Sequence, residues 1–153
     1  MNITPIYEIV QNFKLIEVRE THQTKTDRDI YFNILKKRFN PFQEIFFVIG
    51  LDGSMNSIYI DEVFKGTANQ CLVHPRDIFQ RLIIANCSAF IIAHNHPSIS
   101  VNPSKQDYEL TDRFIRAGNL MGINLVDHII FTDEKYFSFN KTGYIKKICP
   151  GQD

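Results

Sequence analysis

The chain has 153 residues, 44% apolar and 22% charged, which sets aside a disordered or fibrous protein and suits one globular domain with a real core. Seventeen Lys plus Arg balance seventeen Asp plus Glu, so no net field draws the chain towards nucleic acid or an anionic membrane surface. No apolar run approaches the roughly 18 residues of a membrane span, and Met1–Val10, broken by Pro5 and Glu8, does not read as a signal peptide.

Thirteen Phe and six Tyr with no Trp point to a sheet-rich core filled by aromatic rings. Cys71, Cys87 and Cys149 are odd in number and share no C-x-x-C spacing. That argues against a disulfide framework and a thiolate metal site, and for reduced thiols in a cytoplasmic protein.

In chain order, Phe13–Arg19 alternates apolar and polar residues and reads as a half-buried strand. Thr26 or Asp27 can cap a helix running to about Phe39, with Ile30, Ile34, Leu35 and Arg38 on one face. Asn40-Pro41 ends it. Lys36-Lys37-Arg38 is the densest basic run and reads as a solvated helix face. Glu44 opens the apolar run Ile45–Leu51, which fits a central strand buried on both sides. Asp52-Gly53 then turns the chain into a second strand, Ser57–Phe64. His74-Pro75-Arg76-Asp77 has the composition of a helix start, and Ile78, Phe79, Leu82, Ile83 and Asn86 continue at helical spacing. Ala89–Ala93 is too short and too apolar for a surface helix and reads as a buried strand leading into His94-Asn95-His96-Pro97. Ser104 begins a helix to about Met121, closed by Gly122. Leu125–Thr132 and Tyr136–Asn140 form a last strand pair. The expected architecture is a mixed α/β layer of the α+β kind, with five to six strands and about three helices in a single domain over residues 1–153.

The chemistry is concentrated after the buried strand. In extended chain, His94 and His96 point to the same side, about 6.5 Å apart at Cα. Two imidazoles so placed can share one ion at bonds of about 2.0–2.1 Å. Pro97 keeps His96 extended, and the pair sits at the carboxyl end of a central strand, where open α/β sheets bind ligands. Eleven residues beyond His96, Asp107 lies in the first turn of the helix begun by Ser104. Ser-x-x-Asp is a capping box. A helix start aimed at the strand end would nonetheless also offer Asp107 as an anionic third ligand and Ser104 as a hydroxyl donor. Two histidines and one carboxylate compose known catalytic zinc sites. Hydrolysis there needs a carboxylate as general base, for which Glu44 and Glu62 are rivals that spacing does not separate.

The string from Glu44 through His94-Asn95-His96-Pro97 to Ser104-x-x-Asp107 resembles the JAMM motif of MPN-type (JAB) metalloproteases. Gly66-Thr67-Ala68-Asn69, His74-Pro75-Arg76, Ser98, and Asp127-His128-Ile129-Ile130 leading to Tyr136-Phe137-Ser138-Phe139 make the chain similar to the RadC family within that group, from about Asn12 to Ile145. The resemblance implies an MPN/JAB-like fold and Zn2+ at His94, His96 and Asp107. It implies Glu44, in preference to Glu62, as general acid/base, and Ser104 as stabiliser of the oxyanion. It implies hydrolysis of amide bonds in a protein or peptide substrate, peptide or isopeptide. Two other roles come with the family: an association with DNA repair, which the balanced charge does not support, and a non-catalytic interaction module. Two departures stand out. Ile99 replaces the usual glycine after His-Asn-His-Pro-Ser, so a differently shaped loop and altered substrate access are expected. RadC-family proteins also carry an N-terminal helix-hairpin-helix segment, for which these 153 residues leave no room, so a free-standing domain is expected.

The remaining candidates are weaker. His128 reads as a hydrogen-bonded core residue or as a group orienting a metal ligand. His74 reads as a cap or loop residue, Cys87 as packing, and His22 as solvated. A Cys71–His74 thiol–imidazole pair lacks a third group.

Overall fold

The two apolar runs around Val48 and Ile91 are the middle of the fold. A computed structural model describes residues 26–66 and 73–148. The expected strand Phe13–Arg19, together with His22, Thr67–Asn69, Cys71 and Cys149, lies outside the described residues. Strands β1 (Glu44–Leu51), β2 (Ser57–Gly66), β3 (Ala89–Asn95), β4 (Asn124–Phe131) and β5 (Tyr136–Ser138) form one mixed sheet in the order β2-β1-β3-β4-β5. Among these described strands only β3 and β4 run parallel, and the crossover between them carries the helix that completes the site.

Helical segments cover both faces of the sheet. On one side, Phe46, Val48, Phe90, Ile92 and Ile130 meet Ile78, Phe79 and Leu82 of α2 (Pro75–Ile84) and Leu110 and Phe114 of α3 (Lys105–Met121). On the other, Ile45, Phe47, Ile49, Ile91, Ala93 and Ile129 meet Ile30, Tyr31, Ile34 and Leu35. Because side chains alternate between faces, burial of both requires the unbroken apolar runs seen in β1 and β3. Gly50 leaves room for Cys87 just beyond α2; a methyl there would run into the Cys87 sulfur.

The segment expected as one helix from Thr26 to Phe39 is helical in extent but changes pitch twice. α1 (Asp27–Ile30), capped by Thr26 Oγ1 accepting from Asp29 N at 3.1 Å, passes into a wide π turn over Tyr31–Leu35. A tight 3-10 turn over Lys36–Arg38 follows. The widening coincides with Tyr31, whose buried hydroxyl donates to the carbonyls of Thr132 and Asp133 at 3.2 and 3.0 Å. Lys36 and Lys37 are exposed, and Arg38 donates back to the Ile34 carbonyl at 3.0 Å.

His74 caps α2, its Nδ1 accepting from Arg76 N at 3.3 Å. α3 is closed by Gly122 in the left-handed region, at φ 70°. A short helix α4 (Tyr144–Ile148), not anticipated from the sequence, follows β5 and buries Ile145. One turn is too short to show a periodicity.

Candidate metal centre

β3 points Phe90, Ile92 and His94 towards α2 and α3, so the apolar stripe of that strand ends in an imidazole. His94 lies between Phe46 of β1 and Ile130 of β4 and has no exposed surface. The chain then continues extended, with His96 N donating to the Phe131 carbonyl at 2.9 Å. His96 therefore returns to the same face. It crosses a loop and enters α3, whose first turn comes back over the end of β3. There Ser104 and Asp107 form a reciprocal cap: Asp107 N donates to Ser104 Oγ at 3.2 Å, and Ser104 N and Oγ donate to Asp107 Oδ2 at 2.6 and 2.8 Å.

These two elements bring three of the sequence-derived residues together. His94 Nε2 lies 3.0 Å from His96 Nε2 and 3.1 Å from Asp107 Oδ1, and His96 Nε2 lies 4.0 Å from Asp107 Oδ2. His96 Nδ1 is 2.9 Å from the Ser100 carbonyl. A carbonyl only accepts, so Nδ1 carries the proton and the lone pair of a neutral His96 sits on Nε2. Glu44, at the start of β1, brings Oε1 to 3.9 Å from His94 Nε2 with its side chain 11% exposed. Two residues beyond the Phe46–His94 pair, it stands where the register would face His96. Glu62 pairs with Phe47, which puts it on the opposite face of the sheet, and binds Lys65 at 2.7 Å.

His128 of β4 is fully buried, with Nε2 3.0 Å from His94 Nδ1 and Nδ1 2.7 Å from Thr111 Oγ1. Burial holds this imidazole well below its ordinary pKa. Protonation of the neighbouring His94 or His96 would push it the same way, and Asp107 opposes this. Among the described residues, two sets thus could hold an ion. One is His94, His96 and Asp107; the other is the buried group His94, Asp107 and His128, whose donor atoms lie within 4.8 Å of one another. The first opens to solvent through His96, whose side chain is 18% exposed.

Two participants escaped the sequence reading. Asn95, between the two histidines, faces the other way and is buried. It donates to the carbonyls of Asn40 and Gln43 at 2.8 and 2.9 Å and accepts from Ile45 N at 2.8 Å, tying the segment before Glu44 to β3. Thr111 lies one helical turn after Asp107, and that spacing was its only signal in the sequence. Ile99 is 86% exposed and stays outside the left-handed backbone region, so nothing at its position demands glycine.

A cavity of about 290 Å3 lies on the other face, lined by Thr26, Asp27, Leu51, Ile91, Asp127 and Ser138 among others, and none of the converging residues reaches it. The chemistry here follows the donor atoms and not this hollow.

A mixed sheet with helices on both faces, and a His-x-His-Pro strand end met by a Ser-x-x-Asp helix start, define a JAB/MPN-type α+β domain. Residues 24–144 match the family of RadC-like JAB domains, and the chain belongs to that family. It is 42% identical over 113 residues to a UPF0758 protein of Staphylococcus haemolyticus, covering 73% of this chain and 50% of the relative. It is 45% identical over 101 residues to one from Thermotoga maritima, covering 66% and 46%. A third, from Clostridium botulinum, is 35% identical over 145 residues, covering 95% and 64%. The chain thus spans about half to two thirds of the length of these curated relatives.

Proposed function

We propose that this domain is a zinc-dependent hydrolase of amide bonds, peptide or isopeptide, in a protein or peptide substrate, with His94, His96 and Asp107 as ligands. One observation carries the reading: Nε2 of His94, Nε2 of His96 and the Asp107 carboxylate converge at separations of 3.0–4.0 Å. Tetrahedral donors with bonds of about 2.0–2.1 Å stand about 3.3 Å apart, and two imidazoles with one carboxylate are a donor set that zinc takes with a position left open. Each of the three side chains can turn a lone pair to the same point, so the residues fit a cation. Zinc there would supply Lewis-acid chemistry, polarising a carbonyl and acidifying water.

The protein's own groups divide the remaining work. Glu44, mostly buried and 3.9 Å from His94 Nε2, takes a proton from water and returns it to the leaving amine. Ser104 now donates to Asp107 Oδ2, so steadying an oxyanion requires its hydroxyl to rotate towards the substrate. Its backbone N–H keeps the carboxylate bonded meanwhile. Phe42, two residues before Glu44, and Ile99, three after His96, are 90% and 86% exposed and would offer apolar contacts to a chain-like substrate. The buried free thiol of Cys87 agrees with a reducing, cytoplasmic setting. No helix among the described residues is long and apolar enough to cross a membrane.

Metal analysis of the purified protein tests this. About one zinc per chain is expected, lost in the double variant His94→Ala/His96→Ala. A double variant that keeps its full zinc content overturns the reading.

A further inference from the structure

The two possible ligand sets differ in one residue, His128 or His96, and a hydroxyl proton on α3 decides between them. We propose that Thr111 and His128 form a hydrogen-bond chain that turns the Nε2 lone pair of His94 towards the metal, making His128 a positioning residue and not a ligand. The inference rests on the zinc reading above.

The chain begins at Thr111. Its Oγ1 lies 2.6 Å from the Asp107 carbonyl oxygen, one turn back along α3. A carbonyl has no proton to give, so the single hydroxyl proton of Thr111 points there. The same Oγ1 is 2.7 Å from His128 Nδ1 and, with its proton directed elsewhere, accepts. His128 Nδ1 therefore carries the N–H, and since the ring is fully buried with a hydroxyl at one nitrogen and an imidazole at the other, neither of them an anion, it holds one proton and leaves Nε2 bare. That bare nitrogen stands 3.0 Å from His94 Nδ1, which must donate to it. In the neutral ring that metal ligation requires, His94 Nε2 is then the bare atom, and it is the one 3.0 and 3.1 Å from His96 Nε2 and Asp107 Oδ1.

The His128 lone pair is occupied by His94 and is not available to an ion. Both nitrogens of His94 cannot reach the same ion, so the set containing His128 would need His94 to break one of these contacts. The ring closes on itself: Asp107 meets His94 through its carboxylate and Thr111 through its carbonyl. Packing holds it in place. His128 stacks on Phe139 at 4.7 Å and 5° and sits beside Ile92 in the β3–β4 register, two residues from the Ile130–His94 pair. Three elements thus fix one tautomer, as outer hydrogen bonds do for metal-bound histidines generally.

Nitrogen NMR of the histidine rings in the full chain, metal-free and loaded with spin-active cadmium, reads the tautomers directly. His128 is expected protonated at Nδ1 in both states, with no coupling between its Nε2 and cadmium, while His94 and His96 couple through Nε2. His128 coupled to cadmium, or protonated at Nε2, overturns the inference. Zinc titrations of variants supply the second readout. Thr111→Val and His128→Phe should weaken binding roughly tenfold to a hundredfold. Thr111→Ser and His128→Gln, whose carbonyl oxygen replaces the Nε2 lone pair, should restore most of it. Wild-type affinity in His128→Phe contradicts the proposal. So does the same complete loss in His128→Phe and His128→Gln as in His94→Ala. Failure of the wild-type chain to bind zinc would instead sink the hydrolase reading, and the metal-free spectrum would still decide the hydrogen-bond chain.

Discussion

Asp107 and Asp127 are both buried carboxylates, 0% and 3% exposed, and each takes a serine hydroxyl and at least one backbone N–H. Asp127 accepts from His128 N and Asn140 N at 2.7 and 2.9 Å and from Ser138 Oγ at 2.6 Å. These three neighbours are all donors. Burial pushes its pKa up to about 6 against those hydrogen bonds, which pull the other way. Asp107 takes its donors on Oδ2 and turns Oδ1 towards His94 Nε2 at 3.1 Å, where a second imidazole converges. Burial and a serine hydroxyl are common to both carboxylates. What sets Asp107, the proposed ligand, apart from Asp127 is an oxygen turned towards two converging imidazoles.

Substitutions can break or sharpen that contrast. The largest effect is expected for Glu44→Gln, which should keep zinc and lower turnover of a cleavable peptide or isopeptide by about 10²–10⁴-fold. Metal content and kinetics on the same preparation check it. Asp107→Asn should weaken zinc binding by roughly a hundredfold or more, since removing a ligand costs no less than removing its outer support. Competition with a chelating dye measures this. Asp127→Asn should leave zinc affinity unchanged and alter stability instead.

The sign for Asp127 follows from its raised pKa. The folded state favours the protonated carboxyl, so this contribution is complete below about pH 4 and is lost as pH rises through about 6. At pH 7 the wild type should be less stable than Asp127→Asn by about 2–3 kcal/mol more than at pH 4, a shift near two pKa units. Denaturant unfolding of both proteins at each pH checks it. Ser138→Ala is expected to have the smallest effect, about 1–2 kcal/mol of stability near neutral pH with zinc affinity intact.

Much of the sheet was legible because β1 and β3 are apolar without interruption and both are followed by turn chemistry. The start of α3 was legible because Ser104 and Asp107 carry a local rule, the reciprocal cap. The pitch changes over Tyr31–Arg38 were not, since they accompany a tyrosine held by carbonyls about a hundred positions away. The spacing of His94, His96 and Asp107 pointed to a common centre, and the side chains do meet. The parts played by Thr111, Asn95 and His128 depend on diagonal neighbours across strands and on one hydroxyl proton. No periodicity records those.

A crystal of zinc-loaded protein, with an anomalous map at the zinc edge, tests the central claim most directly. The account predicts a single ion bonded to His94 Nε2, His96 Nε2 and Asp107, with His128 bonded to His94 Nδ1 and outside the coordination sphere. No ion at that strand end, or one held by His128 in place of His96, would contradict it.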